Sequence, residues 1–251
     1  MKPDVDTTRE LLEDLRQRYA DLLQRFEGNQ AELHRLARSV YQVQEAERRR
    51  VALELHDGLG QNLTALKNQL SLATTLLSPE QTEVRSRLEA ALELCADTLT
   101  DTRELSRLLR PQVLDDFGLE AALHWLARTL AQSSTLQIET HVDPIPPLDH
   151  DVQTVLFRIA QEALGNTLRH SGAREAMVKL GVRSGWLRLT VWDDGAGFDV
   201  DAALAAASRG QSSGLAGMRE RAMLYGGKLS IESGGGGTWL RVALPEGILH
   251  Q

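Results

Sequence analysis

In the stretch QEALGNTLRH, residues 161–170, Glu162 and Asn166 stand four residues apart, with Arg169 and His170 three and four residues further on. On a helix that spacing lines the four side chains up along one stripe, while Phe157, Ala160, Leu164 and Leu168 take another face. Such a stripe would suit a magnesium-bound triphosphate. The amide oxygen of Asn166 would face the ion, the basic groups the phosphate oxygens, and the carboxylate would orient water. A solvated helix face would show the same residue types, so the stripe gains meaning only from its companions.

Three companions follow it. DDGAGF (193–198) closes a strand-like run, and its glycines would let backbone approach a flat ligand while Asp193 offers an acceptor to an exocyclic amine; a plain turn reads the same way. SSGLAGMRERA (212–222) sets Gly214 and Gly217 at a helix start, where free amides and the helix dipole attract phosphate. GGGGT (234–238) would bring Thr238 and bare amides to a phosphate, or form only a hairpin loop.

A second kind of chemistry is suggested by ELHDGLGQNL, residues 54–63, where His56 and Asp57 are adjacent and Gln61 lies four residues past the Asp. Leu55 and Leu59 are expected to face a helical core, which leaves His56 outward. Gly58 and Gly60 each cost a helix about 1 kcal/mol relative to Ala, a cost that makes sense if something must come close to His56.

The elements that must position these groups are legible from periodicity. Leu12, Leu15, Tyr19, Leu22, Phe26, Asn29, Leu33, Leu36, Val40 and Val43 form an unbroken heptad seam, which one helix cannot bury and which predicts a coiled coil with Asn29 setting register. The seam ends in EAERRR, and an apolar stripe resumes in a new phase at Ala52, Leu55, Leu59, Leu63, Leu66, Leu70 and Leu77; a phase break is a point where twist can change. The run Arg48–Arg50 is read as a solvated face, or as a contact to an acidic partner or a neighbouring domain. LLSPEQTE supplies a turn, and a second helix through Val84, Leu88, Ala91, Cys95, Leu99, Leu105 and Leu108 stops at LRPQVLDD. Two such helices are half of a four-helix bundle that dimerisation would complete. Beyond Pro111 helices mix with alternating strands, which predicts a two-layer α/β sandwich, with a Gly/Ser/Ala-rich loop between Asp199 and Ser213.

Composition narrows the partners. A net charge of −7 over 251 residues argues against direct nucleic-acid binding, which rests on a basic field. The one cysteine, Cys95, excludes an internal disulfide. No apolar run reaches the roughly 18 residues of a membrane span, and MKPDVDTTRE is not a signal peptide; a cytoplasmic location is expected.

Taken together, the four Gly- and Asn-bearing stretches resemble the nucleotide-binding boxes of the Bergerat-fold ATPases, the superfamily of gyrase, MutL and histidine kinases. ERRRVALELHDGLGQNL, LRPQVLDDFGLEAAL, QEALGNTLRHSGA and GLAGMRERA together resemble the two-component sensor histidine kinases of the nitrate-sensor (NarX-like) subfamily, over residues 45 to 245. The resemblance implies a multidomain α and α+β chain. Residues 1–47 would be a coiled-coil signalling helix, 48–111 a dimeric four-helix-bundle domain for dimerisation and histidine phosphotransfer, and 112–251 a Bergerat-fold ATP-binding domain.

It also implies roles. His56 would accept the γ-phosphoryl of ATP, Asp57 would hold or deprotonate its other ring nitrogen, and Gln61 would orient water to dephosphorylate a response regulator. Glu162 would support catalysis, Asn166 would ligate Mg2+, and Arg169 and His170 would face phosphates. Asp193 would read the adenine amine beside Gly195 and Gly197. Gly214, Leu215 and Gly217 would bound the phosphates, and Thr238 would close the site. The cofactors implied are ATP and Mg2+; the partners are a second copy in a homodimer and a response regulator with a helix-turn-helix output domain. Gly165, where many relatives carry another Asn, and a terminal Gly loop one residue short are departures from the pattern.

Overall fold

The computed structural model describes residues 5–208, 214–245 and 247. Its first helix, α1, runs Val5–Leu53. Residues 1–44 and 45–251 form two units. Within the first, the heptad positions Leu15, Tyr19, Leu22, Phe26, Leu33, Leu36, Val40 and Val43 are each 58–68% exposed, so this chain by itself leaves these seam positions in solvent.

After α1 the helix continues through a π-helical segment, Glu54–Gly60, into α2, Gln61–Thr75. The Ser-Pro turn then reverses the chain into α3, Thr82–Leu109, which packs antiparallel on α2. Cys95 and Leu99 are buried in that contact, whereas Leu59 and Leu66 stay about half exposed. The core contact expected of Leu59 is therefore incomplete within one chain.

The stop expected at LRPQVLDD is shorter than the sequence suggests. Only Arg110 and Pro111 are extended, Pro111 is the N-cap of the next helix, and α4 covers Gln112–Gln132 with a kink at Gly118, whose φ of 78° lies in the left-handed region. Proline before the first helical position pre-sets the backbone without losing a needed donor. The loop expected from Asp199 is likewise helical over α6, Val200–Ser208, because its Ala-rich run favours helix; the rest of that expected loop, 209–213, lies outside the described residues.

The sheet comprises β1 (Gln137–Val142), β2 (Glu175–Arg183), β3 (Trp186–Asp193), β4 (Lys228–Gly234) and β5 (Gly237–Pro245). Its order is β1-β2-β3-β5-β4, with β1 parallel to β2 and the other pairs antiparallel. Register stacks apolar rows toward the helices: Val178, Val191, Leu240 and Ile231 form one, and Leu180, Leu189, Val242 and Leu229 the next. Against them lie α5 (His150–Asn166) and α7 (Gly214–Leu224). Phe157, Leu164 and Met218 are fully buried there, each worth about 1.5–3 kcal/mol in apolar burial.

A buried ionic network ties α5 and the joint between α3 and α4 to the end of α1. Arg158 of α5 donates to both carboxylate oxygens of Glu45, at 2.8–3.2 Å, and to the Leu109 carbonyl at 2.5 Å. Arg110 donates to Asp115 through two nitrogens, at 2.8–3.2 Å, and its Nη1 lies 3.8 Å from Glu45. Glu45, Arg110 and Arg158 are all buried. Of the Arg48–Arg50 run, Arg49 reaches Asp115 at 3.2 Å, while Arg48 pairs with Glu45 and Arg50 with Glu47 and Glu54. The run is thus ion-paired, and Arg49 reaches across from the end of α1 to Asp115 of α4.

Burial alone would raise the Asp115 carboxyl, but the hydrogen bonds from Arg110 and the charges of Arg110 and Arg49 outweigh it and hold the pKa below the ordinary value. A carboxyl depressed in the folded state stabilises the protein above the unfolded pKa, about 3.9, and loses that contribution as pH falls through the folded value. Asp115→Asn should therefore cost about 1.5–3 kcal/mol at pH 7. In thermal melts across pH, the wild-type and variant curves should converge on the acid side below pH 4.

Candidate functional site

The helix that carries the polar stripe starts where Asp149 accepts from the His150 amide at 2.9 Å, and it ends by changing its winding. Residues Thr167–Ser171 are π-helical, terminated by Gly172 in the left-handed conformation. This change shifts the phase of the last side chains. Leu168, expected on the apolar face with Phe157, Ala160 and Leu164, is 39% exposed, while Thr167 turns inward and is buried. Arg169 and His170 consequently line the same cavity as Glu162 and Asn166.

That cavity measures about 480 Å3, within the usual range for a small-molecule site. Val191, Met218, Ile231 and Leu240 give it an apolar wall, and Glu162, Asn166, Arg169 and His170 a polar rim. Asp193 also lines it, at the close of β3, in register with Thr238 of β5, which is in turn opposite Ser233 of β4. Thr167 donates to Asp193 Oδ2 at 2.9 Å and the Gly195 amide donates to Oδ1 at 3.0 Å, so the carboxylate is buried but held at both oxygens. Each carboxylate oxygen has a further lone pair for a ligand. Thr238 and Ser233 hydroxyls lie 2.9 Å apart, and Ser233 accepts from the Phe198 amide.

At the rim Arg169 donates to Asn166 Oδ1 at 3.1 Å and stands 3.9 Å from Glu162. Asn166 and Glu162 together offer hard oxygen donors of the kind Mg2+ prefers. Among the described residues no cluster of three or more His, Cys, Asp or Glu could hold a metal by itself, so an ion here would draw ligands from phosphate and water as well.

Glycines give the cavity its shape by close approach. A Cβ at Gly214 would collide with the Glu162 carboxylate, one at Gly195 would lie 2.5 Å from the Ser171 side chain, and one at Gly197 would strike the Gly234 carbonyl. Gly197 is also at φ 71°, where other residues are strained. Gly214 and Gly197 line the cavity with Leu215 and Thr238. Gly195 and Gly217 are not lining residues, and a Cβ at Gly217 would come 3.1 Å from the Arg221 guanidinium. Thr167, Phe198 and Ser233 were not legible as site residues. For Thr167 the signal was its place directly after Asn166; for Ser233 it was the strand register opposite Thr238.

His56, Asp57 and Gln61 belong to a different place. They lie on and just after the π-helical segment, all three exposed, and His56 lines a separate cavity. Among the described residues none of the three side chains has a hydrogen-bond or ion-pair partner, so the bond implied between Asp57 and the His56 ring is not formed. A Cβ at Gly58 would meet nothing, and at Gly60 only the Leu55 carbonyl at 3.6 Å. Packing within the chain therefore does not require either glycine. Short π-helical insertions are frequent at functional sites, and both stretches with candidate chemistry carry one.

Two family models match the chain. Residues 47–114 match a family model described as histidine kinase, and 151–248 one described as histidine kinase-, DNA gyrase B-, and HSP90-like ATPase. The chain is 38% identical over 218 residues to the sensor histidine kinase MctS of Rhizobium johnstonii, covering 85% of this chain and 46% of MctS. It is 34% identical over 233 residues to the signal transduction histidine-protein kinase/phosphatase UhpB of Salmonella typhimurium, covering 92% and 45%. For the sensor histidine kinase LiaS of Bacillus subtilis the identity is 33% over 200 residues, covering 79% and 54%. The chain thus spans about half the length of these curated relatives. No helix among the described residues is long and apolar enough to cross a membrane.

Proposed function

The chain belongs to the sensor histidine kinases, and from that premise we propose that it is an ATP-dependent autokinase that phosphorylates His56 and passes the phosphoryl group to an aspartate of a response regulator. The observation that carries this is the cavity's polarity. A buried, doubly held Asp193 suits an adenine amine, an apolar wall suits the base, and the polar Glu162, Asn166, Arg169 and His170 suit a triphosphate.

In this reading the rim residues trade partners when nucleotide enters. Asn166 Oδ1, now accepting from Arg169, would hold Mg2+, and Arg169 would turn to the phosphates. Mg2+ would supply charge neutralisation between the phosphates. The His56 imidazole, exposed and without a partner among the described residues, is a nucleophile through a ring nitrogen in its neutral form. Its free ring nitrogen attacks the γ-phosphorus, the bond to ADP breaks, and Asp57 is the adjacent base for the proton on the other nitrogen. The exposed site with open space at Gly58 leaves room for the ATP domain and a regulator in turn.

A homodimer is supported by the exposed heptad seam of α1 and the half-exposed Leu59 and Leu66, which a second copy would cover as a coiled coil and a four-helix bundle. The regulator is expected to have a helix-turn-helix output domain, and the chain to act in the cytoplasm without contacting nucleic acid. UhpB is described as both kinase and phosphatase, and Gln61 is the residue to which we assign the second activity, as a water-orienting amide. With a phosphorylated receiver domain as substrate, Gln61→Ala should slow dephosphorylation about tenfold or more and leave labelling of His56 within twofold. Equal dephosphorylation by both proteins would remove Gln61 from that role. A nucleotide-free scaffold is the rival reading, and saturable ATP binding decides against it.

A further inference from the structure

Beside His56 lies a cavity of about 220 Å3, lined in part by His56, Arg103, Ser106, Arg107, Arg110 and Trp125, and by no carboxylate. Three arginines around one histidine stand out in a chain of net charge −7. Two contacts fix their height. The Ser106 hydroxyl donates to the Ala52 carbonyl at 2.9 Å, and the Cys95 thiol to the Leu63 carbonyl at 3.3 Å. Ala52 to Leu63 and Cys95 to Ser106 are both intervals of eleven residues, so one antiparallel register holds across the π-helical segment. In that register His56 lies level with Thr102 and next to Arg103, and Arg107 follows one turn along the same face.

The three arginines are not equivalent. Arg110 is buried and committed to Asp115. Arg103 and Arg107 have no ion-pair or hydrogen-bond partner among the described residues, and both are exposed. Like charges one helical turn apart destabilise a helix, and an anion seated between them turns that repulsion into attraction.

We propose that this cavity is an oxyanion site that holds the phosphoryl group carried on His56, with Arg103 and Arg107 binding its oxygens; the proposal rests on the kinase reading above. A phosphoryl group brings close to two negative charges and three strong acceptors, and guanidinium forks match such oxygens in bidentate fashion. The two arginines thereby shield the nitrogen–phosphorus bond from hydrolysis until a receiver carboxylate takes the group. They bind the phosphorylated product and take no part in proton transfer.

The test uses the full chain with Arg103→Gln/Arg107→Gln and Arg103→Lys/Arg107→Lys. In one arm inorganic phosphate is titrated at constant ionic strength while the His56 ring and Trp125 indole signals are followed by NMR. A saturable shift is expected in the wild type, lost in the Gln pair and largely kept in the Lys pair. In the other arm His56 is labelled from γ-labelled ATP, nucleotide is removed, and the label's lifetime is measured. The Gln pair should lose label at least about tenfold faster, with ATP affinity unchanged. Equal lifetimes with no saturable phosphate response overturn the site alone. A wild type that takes no label from ATP overturns the kinase reading and phosphohistidine as the ligand together.

Discussion

Asp193→Asn should lower ATP affinity roughly a hundredfold while leaving the domain folded, measured by calorimetric titration with ATP and by thermal melting without it. The carboxylate is buried and accepts from the Thr167 hydroxyl and the Gly195 amide. An asparagine can keep both contacts. Its oxygen accepts from Gly195, its amide nitrogen donates to Thr167, and the Thr167 hydroxyl turns wholly to the Ala163 carbonyl, already 3.2 Å away. What is lost is the acceptor for an exocyclic amine, which now meets an N–H donor. Loss of a charged hydrogen bond with a donor left facing a donor is worth about 1.5–3 kcal/mol, or one to two orders of magnitude in affinity. A nucleoside triphosphate lacking the amine should bind the wild type as weakly as ATP binds the variant. ATP affinity within a few-fold of wild type would remove Asp193 from base recognition.

Arg158→Met should cost about 3–5 kcal/mol, which is a fall in melting temperature on the order of 10 °C for a unit of this size. The reason is what the substitution leaves behind. Glu45 is buried, and its two closest hydrogen bonds come from Arg158. Arg110 at 3.8 Å and the half-exposed Arg48 at 3.4 Å offset only part of the loss. The Leu109 carbonyl, at the joint between α3 and α4, also loses its donor. Replacing both ends, Arg158→Met with Glu45→Met, should recover much of the stability, because a paired burial exchanged for apolar packing avoids the stranded charge. Purely additive losses in that double-mutant cycle would show that the pair is not coupled.

The chemistry-bearing residues were legible because spacing on regular elements carries position. Glu162 and Asn166 share a face at a separation of four, Asp193 ends an alternating strand, and the hairpin places Thr238 beside it. The winding was not legible. Both π-helical segments fall where the apolar pattern is helical in either winding, and only the outcome distinguishes them: an exposed Leu168 and a buried Thr167. The ionic network escaped for a different reason. Arg158 sits inside VLFRIAQ, where a charge reads as the polar side of an amphipathic helix, and its partner Glu45 lies 113 residues away. No local pattern announces a pair at that distance. The extra helical turns after Pro111 and over Val200–Ser208 leave no distinct sequence signal, because Pro and small residues mark loops and helix starts alike.

The central claim is that His56 takes the γ-phosphoryl of ATP, and labelling tests it most directly. Wild type and His56→Gln are incubated with γ-labelled ATP and Mg2+, with nucleotide binding measured in parallel. Acid-labile, alkali-stable label on the wild type and none on a variant that binds ATP equally well is the predicted result. Label of the same lability and amount on His56→Gln would contradict it.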